Sequence, residues 1–303
     1  VTAIDGRQVS NRLEMPVVDD TAVPPPEFLP TVWGGFVRGF GGDGCRSADG
    51  REHIILTYEF DGAGYRAADW PPPDQIAEIQ FGLLPEAHQR RHAGARLAAL
   101  VRESGYRIST GLLGTPVLCD ALCSVGEYDA AFRLITQREC PSWLYPVTMG
   151  ATTIWERWDG YVKGRGFQDK GMNSFNHYAI GAVGEWMYRV VLGINADPAQ
   201  PGWKRAVIRP WPGGGLTWAK GSYHSIRGKI DVSWRQPSAG AFSLDVTIPP
   251  GVTATVYVPA RDAARVSEGA VPASSAAGVR FVRMDDGAAV FAIGSGQYRF
   301  AVR

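Results

Sequence analysis

The sequence predicts a multidomain α+β chain, helical through its middle and closed by an antiparallel β-sandwich. Three observations carry this expectation. Apolar residues recur at helical spacing from about residue 76 to residue 192, and beyond Pro201 the period changes to two. Before both, prolines and glycines crowd the first 75 residues too densely for long helices, with Pro24 to Pro26, Gly34, Gly35, Gly39, Gly41, Gly42, Gly44 and Pro71 to Pro73. The expected domains are therefore an irregular N-terminal arm (1–75), a helical domain (76–200) and a sandwich (201–303). Within the arm only HIILTYEF, His53 to Phe60, reads as a strand.

Pro85 marks the start of the first expected helix, in which EAHQRRHAGARLAALVRESG sets Leu97, Leu100 and Val101 against Arg and Glu, and Gly105 stops it. Pro116 opens a second, with Leu118, Leu122 and Val125 in register up to Gly126. Tyr128, Ala131, Phe132 and Ile135 mark a third, ended by Pro141. From Ser142 to Met172 little period is visible, and a connection of about thirty residues is long enough to suggest function. A fourth helix is expected from Asn173 to Leu192, striped by Phe175, Ala179, Ala182, Val183, Trp186 and Val190 and stopped by Gly193.

Strand alternation follows, as in FSLDVTIP with Phe242, Leu244, Val246 and Ile248, and TATVYVP with Ala254, Val256 and Val258. Adding Ala206 to Arg209, Gly228 to Trp234, Gly278 to Arg283, Ala288 to Ile293 and Gln297 to Val302 gives enough short strands for a sandwich, expected to carry no catalytic residue.

Bulk composition narrows the partners. A net charge of +1, from 31 basic and 30 acidic residues, gives no reason to expect nucleic acid, and the ligand is expected to be neutral. Ten Trp form a large stock of flat rings, usable either as core filling or as platforms for the C–H faces of sugars. Cys45, Cys119, Cys123 and Cys140 show neither C-x-x-C spacing nor a zinc pattern with His, so no metal and no cofactor are expected. With no apolar run of about 18 residues and no signal-like start, the expectation is no membrane span and a cytoplasmic location.

The chemistry concentrates in ATTIWERWDG, Ala151 to Gly160. Glu156 lies between Trp155 and Trp158, whose rings can partly desolvate the acid and offer a surface to a sugar. The competing reading is an ordinary loop ion pair with Arg157. His177 lies just after, four residues from Gly181 and seven from Gly184, so the face it shares with them is bare and open to a close neighbour or a cavity. A lone His on a helix is more often a satisfied structural group than a catalytic one.

TTIWERWD followed by MNSFNHYAIGAVGEW closely resembles the bacterial α-L-rhamnosidases. STGLLGTP resembles the family's stretch before its next hairpin, PSWLY its approach to the active-site loop, and IRPWPGGGLTWAKGSYHSIRG the start of its C-terminal sandwich. The resemblance runs from about residue 76 to residue 260. It implies part of an (α/α)6 six-hairpin barrel followed by the antiparallel β-sandwich, inverting hydrolysis of rhamnosylated glycosides, and Glu156 as the base that activates water. It further implies His177 in the rhamnose pocket and Trp143, Trp155 and Trp158 against substrate. Such an enzyme also needs a general acid, which the family keeps in an upstream acidic segment running into Gly-Trp. Glu14, Asp19 and Asp20 stand in no such context. Roughly 120 helical residues are also too few for twelve helices of ordinary length. Two other readings stand beside hydrolysis by a longer parent: a non-catalytic carbohydrate-binding remnant, and a six-hairpin glycosidase for another sugar.

Overall fold

The computed structural model describes residues 84, 86–112, 114–168 and 170–302, with a small N-terminal hairpin of β1 (Ala3–Ile4) and β2 (Arg7–Gln8). The expected strand His53 to Phe60, the rest of the arm and Glu14, Asp19 and Asp20 lie outside the described residues. The chain divides into two compact units, residues 15–183 and residues 184–303 with 1–14. Among the described residues no helix is long and apolar enough to cross a membrane.

In the helical unit α1 spans Ala87–Glu103, opened by the Glu86 amide donating to Gln89 Oε1 at 3.1 Å. Its buried stripe is Ala93, Gly94, Leu97, Ala98 and Val101. Gly94 is small for a reason, because a Cβ there would meet Val125 at 2.7 Å. The helix α2 (Thr115–Ser124) carries Pro116 in its first turn, where a missing amide hydrogen costs nothing. The third helix, α3 (Tyr128–Thr136), buries Ala130, Ala131, Phe132, Leu134 and Ile135. Cys119 is buried inside α2, and that burial pushes its thiol well above the ordinary range, so it behaves as a small apolar side chain.

The long connection holds more structure than its sequence shows. A short helix α4 (Leu144–Thr148) starts where Ser142 Oγ accepts from the Tyr145 amide at 3.1 Å. A hairpin of β3 (Tyr161–Val162) and β4 (Gly166–Phe167) and a 3-10 turn at Lys170–Met172 follow. The fourth helix departs from expectation. Residues 173–178 are not helical, and regular turns begin only with a 3-10 segment (Ala179–Ala182), α5 (Val183–Trp186) and a π-helical turn (Met187–Val191). The cause is competition, because the backbone groups of Ser174, Phe175 and His177 bond across to residues 153–156 instead of along a helix.

The second unit is a sandwich of two sheets. One orders β13 (Val279–Asp285), β14 (Ala288–Ile293), β10 (Thr253–Pro259), β6 (Arg205–Ile208) and β5 (Ile194–Ala196). The other orders β12 (Val271–Pro272), β11 (Val266–Glu268), β15 (Gly296–Val302), β9 (Ala241–Ile248), β8 (Gly228–Ser238) and β7 (Trp218–Ser225). All expected strands are present, and four more appear: β5, β7, β11 and β12. Pairing is antiparallel except for β10 with β6, a parallel pair that alternation along single strands cannot reveal. The expected boundary at 201 falls between β5 and β6.

Alternate residues of β6, β8, β9 and β10 fill the space between the sheets. Phe291 of β14 stacks on Phe300 of β15 at 5.5 Å, and both are fully buried. Trp234 of β8 is fully buried as well, its Nε1 donating to the Val191 carbonyl at 2.7 Å. The β13–β14 turn is Asp286-Gly287, with φ of 46° and 73°, the paired left-handed conformation that a tight hairpin demands.

Candidate active site

Two segments remote in helical register are sewn together at the site. The Glu156 amide donates to the Ser174 carbonyl at 2.8 Å, and the His177 amide donates to the Ile154 carbonyl at 2.8 Å. Thr153 Oγ1 also donates to the Phe175 carbonyl. Residues 153–156 and 174–177 therefore run side by side, which brings Glu156 and His177 onto adjoining backbone. Gly181 closes the arrangement from the helix side, since a Cβ there would touch Ile154 at 3.0 Å. The bare face of the helix is thus filled by a neighbour at Gly181, while a Cβ at Gly184 would meet open space.

The Glu156 side chain is half-buried, and its Oε2 accepts from the Ser174 amide at 2.8 Å. Among the described residues its other oxygen has no partner. The expected competitor, an ion pair with Arg157, is not formed: Arg157 binds Asp159 instead, through Nε at 2.7 Å and Nη2 at 3.1 Å. Chemically this leaves a carboxylate oriented through one oxygen and able to take a proton on the other. His177 is half-buried and stacks on Tyr178 at 5.5 Å with an 8° interplanar angle. Its Nδ1 accepts from the Ala179 amide at 3.4 Å, an arrangement that puts the proton of the neutral ring on Nε2 and makes that atom a donor.

The three tryptophans do different things. Trp143 and Trp158 meet edge to face at 5.7 Å and 90°, both half-buried, and Trp143 is fixed by Nε1 donating to the Ile180 carbonyl at 2.7 Å. They form an L-shaped aromatic corner. Trp155, expected against substrate, is only 5% exposed and packs edge-on to Phe175 at 5.0 Å. Its ring is buried filling against Phe175 and not a surface open to a sugar. Gly160 completes this floor, where a Cβ would lie 2.6 Å from Asn173 Oδ1 and 3.4 Å from Trp155.

Sequence reasoning missed two contributors. Ser174 acts through its amide and Ile180 through its carbonyl, and backbone partners leave no mark in side-chain chemistry. Asp159 was present in the motif, but only the structure ties up Arg157 with it. Cys140 lies nearby in sequence, its thiol raised chiefly by burial and further by the Asp159 charge. Among the described residues no group of three or more His, Cys, Asp or Glu could hold a metal ion.

A half-buried carboxylate and an aromatic corner lie in the helical unit, which a sandwich of two sheets follows in the chain. Residues 72–191 match the model of the bacterial alpha-L-rhamnosidase 6 hairpin glycosidase domain, and residues 193–273 that of the bacterial alpha-L-rhamnosidase C-terminal domain. The chain belongs to the bacterial α-L-rhamnosidase family, with a six-hairpin glycosidase match (72–191) followed by a match to the family's C-terminal domain (193–273). It is 44% identical over 227 residues to an α-L-rhamnosidase of Streptomyces avermitilis, covering 75% of this chain and 21% of that protein. A relative from Alteromonas sp. (strain LOR), also named α-L-rhamnosidase, is 40% identical over 185 residues, 61% of this chain and 20% of its own. Among solved structures, the S. avermitilis α-L-rhamnosidase complexed with L-rhamnose superposes with a TM-score of 0.70 at 40% identity, over 80% of this chain and 23% of that one. The Aspergillus terreus enzyme gives 0.67 at 29% identity, over 89% and 26%. The chain thus spans about a fifth of the length of the curated relatives it matches.

Proposed function

We propose that Glu156 is the general base of an inverting hydrolysis of terminal α-L-rhamnosyl residues, an activity of a longer protein of which residues 1–303 supply one side of the site. The observation that supports this reading is the Glu156 carboxylate, held through Oε2 by the Ser174 amide with its second oxygen unpartnered among the described residues, in a chain of the α-L-rhamnosidase family. A base so held can accept a proton from water without rotating, and general acid–base help of this kind is worth about a hundred to ten thousandfold. His177 donates through Nε2 to a rhamnose hydroxyl, and the Trp143–Trp158 corner packs on the sugar's apolar face. Trp155 supports the loop from below.

Inversion requires a second carboxyl group about 6.5 to 9.5 Å from the first, on the opposite side of the bond. No segment of residues 1–303 resembles the acidic motif that supplies it, so this polypeptide alone binds rhamnosides weakly and does not turn them over. The test is purified 1–303 polypeptide on p-nitrophenyl α-L-rhamnoside beside its Glu156→Gln variant. Absence of turnover, with L-rhamnose quenching tryptophan fluorescence, is expected. Robust turnover abolished by Glu156→Gln would keep the base and overturn the missing acid; turnover insensitive to that substitution would remove Glu156 from the mechanism. A panel of other free monosaccharides, none of them quenching tryptophan fluorescence more strongly than L-rhamnose, checks the sugar.

A further inference from the structure

The outer face of the five-stranded sheet carries a basic groove. Along β6 and β10 the residues alternate, so Ala206, Ile208, Ala254, Val256 and Val258 fill the core while Arg205, Thr253, Thr255 and Tyr257 project outward. The depression they line with Arg280 and Arg283 has a volume of about 720 Å³, the size of a small-molecule site.

A β-bulge builds the groove. Arg280 pairs with Ala292 and Phe281 with Phe291, but Arg283, not Val282, pairs with Val290. An unbroken strand would turn Arg283 to the core side; the one extra residue sets it on the same outer face as Arg280. Bulges serve to re-aim side chains in this way. Arg283 is then held by Asp285 at 2.7 Å and donates to the Tyr257 hydroxyl at 3.2 Å. Tyr257 is fixed from a second direction by the Arg209 guanidinium, 4.7 Å from its ring centroid. Arg205 pairs with Asp197. Three guanidiniums therefore meet two carboxylates, Asp197 and Asp285, and Arg280 is left exposed with no ion pair among the described residues.

We propose that this groove binds a carboxylate-bearing saccharide, whose uronate carboxylate accepts from the Arg280 guanidinium while its hydroxyls meet Thr253, Thr255 and Asp197. A planar guanidinium with no other partner among the described residues suits a carboxylate, and the flanking hydroxyls and carboxylate suit sugar hydroxyls. The balanced charge of the whole chain, +1, provides no field to hold a long polyanion, which favours a short unit with few charges. Choosing a saccharide over other carboxylates rests on the proposed glycoside hydrolysis.

The test is isothermal titration of the 1–303 polypeptide with trigalacturonate at low salt, with maltotriose, sulfate and a short deoxyoligonucleotide as parallel ligands. One site for trigalacturonate is expected, weakened about tenfold by Arg280→Ala, less by Arg280→Lys, and unaffected by Arg299→Ala, a charge-matched change on the opposite sheet. Arg280 is exposed and has no ion pair among the described residues, so its variants fold. No binding, binding indifferent to Arg280→Ala, or equal binding of maltotriose, sulfate or the oligonucleotide would each overturn the proposal. The titration reads heat and not turnover, so its failure leaves the assignment of Glu156 standing, and failure of that assignment does not alter the titration.

Discussion

The two units solve the burial of apolar surface differently. In the sandwich nearly every inward position is occupied by a fully buried residue, from Trp234 and Leu244 in one sheet to Val256 and Phe291 in the other. The helical unit buries single stripes, such as Ala93, Leu97, Ala98 and Val101 of α1, and spends much of its remaining chain on a connection whose side chains are half-exposed. Regular ladders satisfy the backbone of the sandwich, whereas the site segment relies on individual bonds, Glu156 to Ser174 and His177 to Ile154. A scaffold can be periodic, while a site has to hold particular atoms in place. Substitutions should accordingly cost stability in the sandwich and binding in the site segment.

The sharpest break of this contrast is Trp234→Ala, which removes a fully buried indole and leaves the Val191 carbonyl without its donor. A loss of about 3–5 kcal/mol is expected in urea denaturation of the sandwich. A loss below about 1 kcal/mol would mean that the sheets are not packed on this ring. Next is Gly160→Ala, whose Cβ has no room beside Asn173 and Trp155. Overpacking of this kind costs about 1–3 kcal/mol locally. Fluorescence titration should show weaker quenching by L-rhamnose while the sandwich transition stays in place, and a shift in that transition would contradict the division of labour.

A pH effect tests the sandwich side. The Asp197 carboxyl is held below its ordinary value by the Ala199 amide, which donates to Oδ1 at 2.8 Å, and by Arg205. A depressed carboxyl stabilises the fold above its unfolded pKa of about 3.9 and loses that contribution as pH falls through the lower folded value. The stability gap between the parent and Asp197→Asn should therefore be constant near neutrality and shrink below about pH 4. A gap that persists at lower pH would assign the effect to packing. The smallest expected effect is that of Arg157→Ala on stability: the pair with Asp159 is over a third exposed and worth about 0–1 kcal/mol. A larger loss would show that Arg157 braces the site loop through more than this pair.

Wherever one rule of periodicity governs a segment, the sequence alone determined the outcome. Period two marked most of the sandwich strands, though not β7, and helical stripes marked α1 to α3, because burial of one face against a core leaves its spacing in the chain. The motif around Glu156 stood out in the sequence as a carboxylate flanked by two indoles, although one of them, Trp155, is packed inside. Residues 173–178 went the other way: their apolar spacing is helical, yet their amides and carbonyls are taken by residues 153–156, a competition between backbone partners far apart in sequence. For the same reason only the tertiary structure could turn Trp155 inward, join Arg157 to Asp159, and leave Glu156 held by an amide. Pairings between backbone groups carry no side-chain signature, so they are decided when the segments meet and not before.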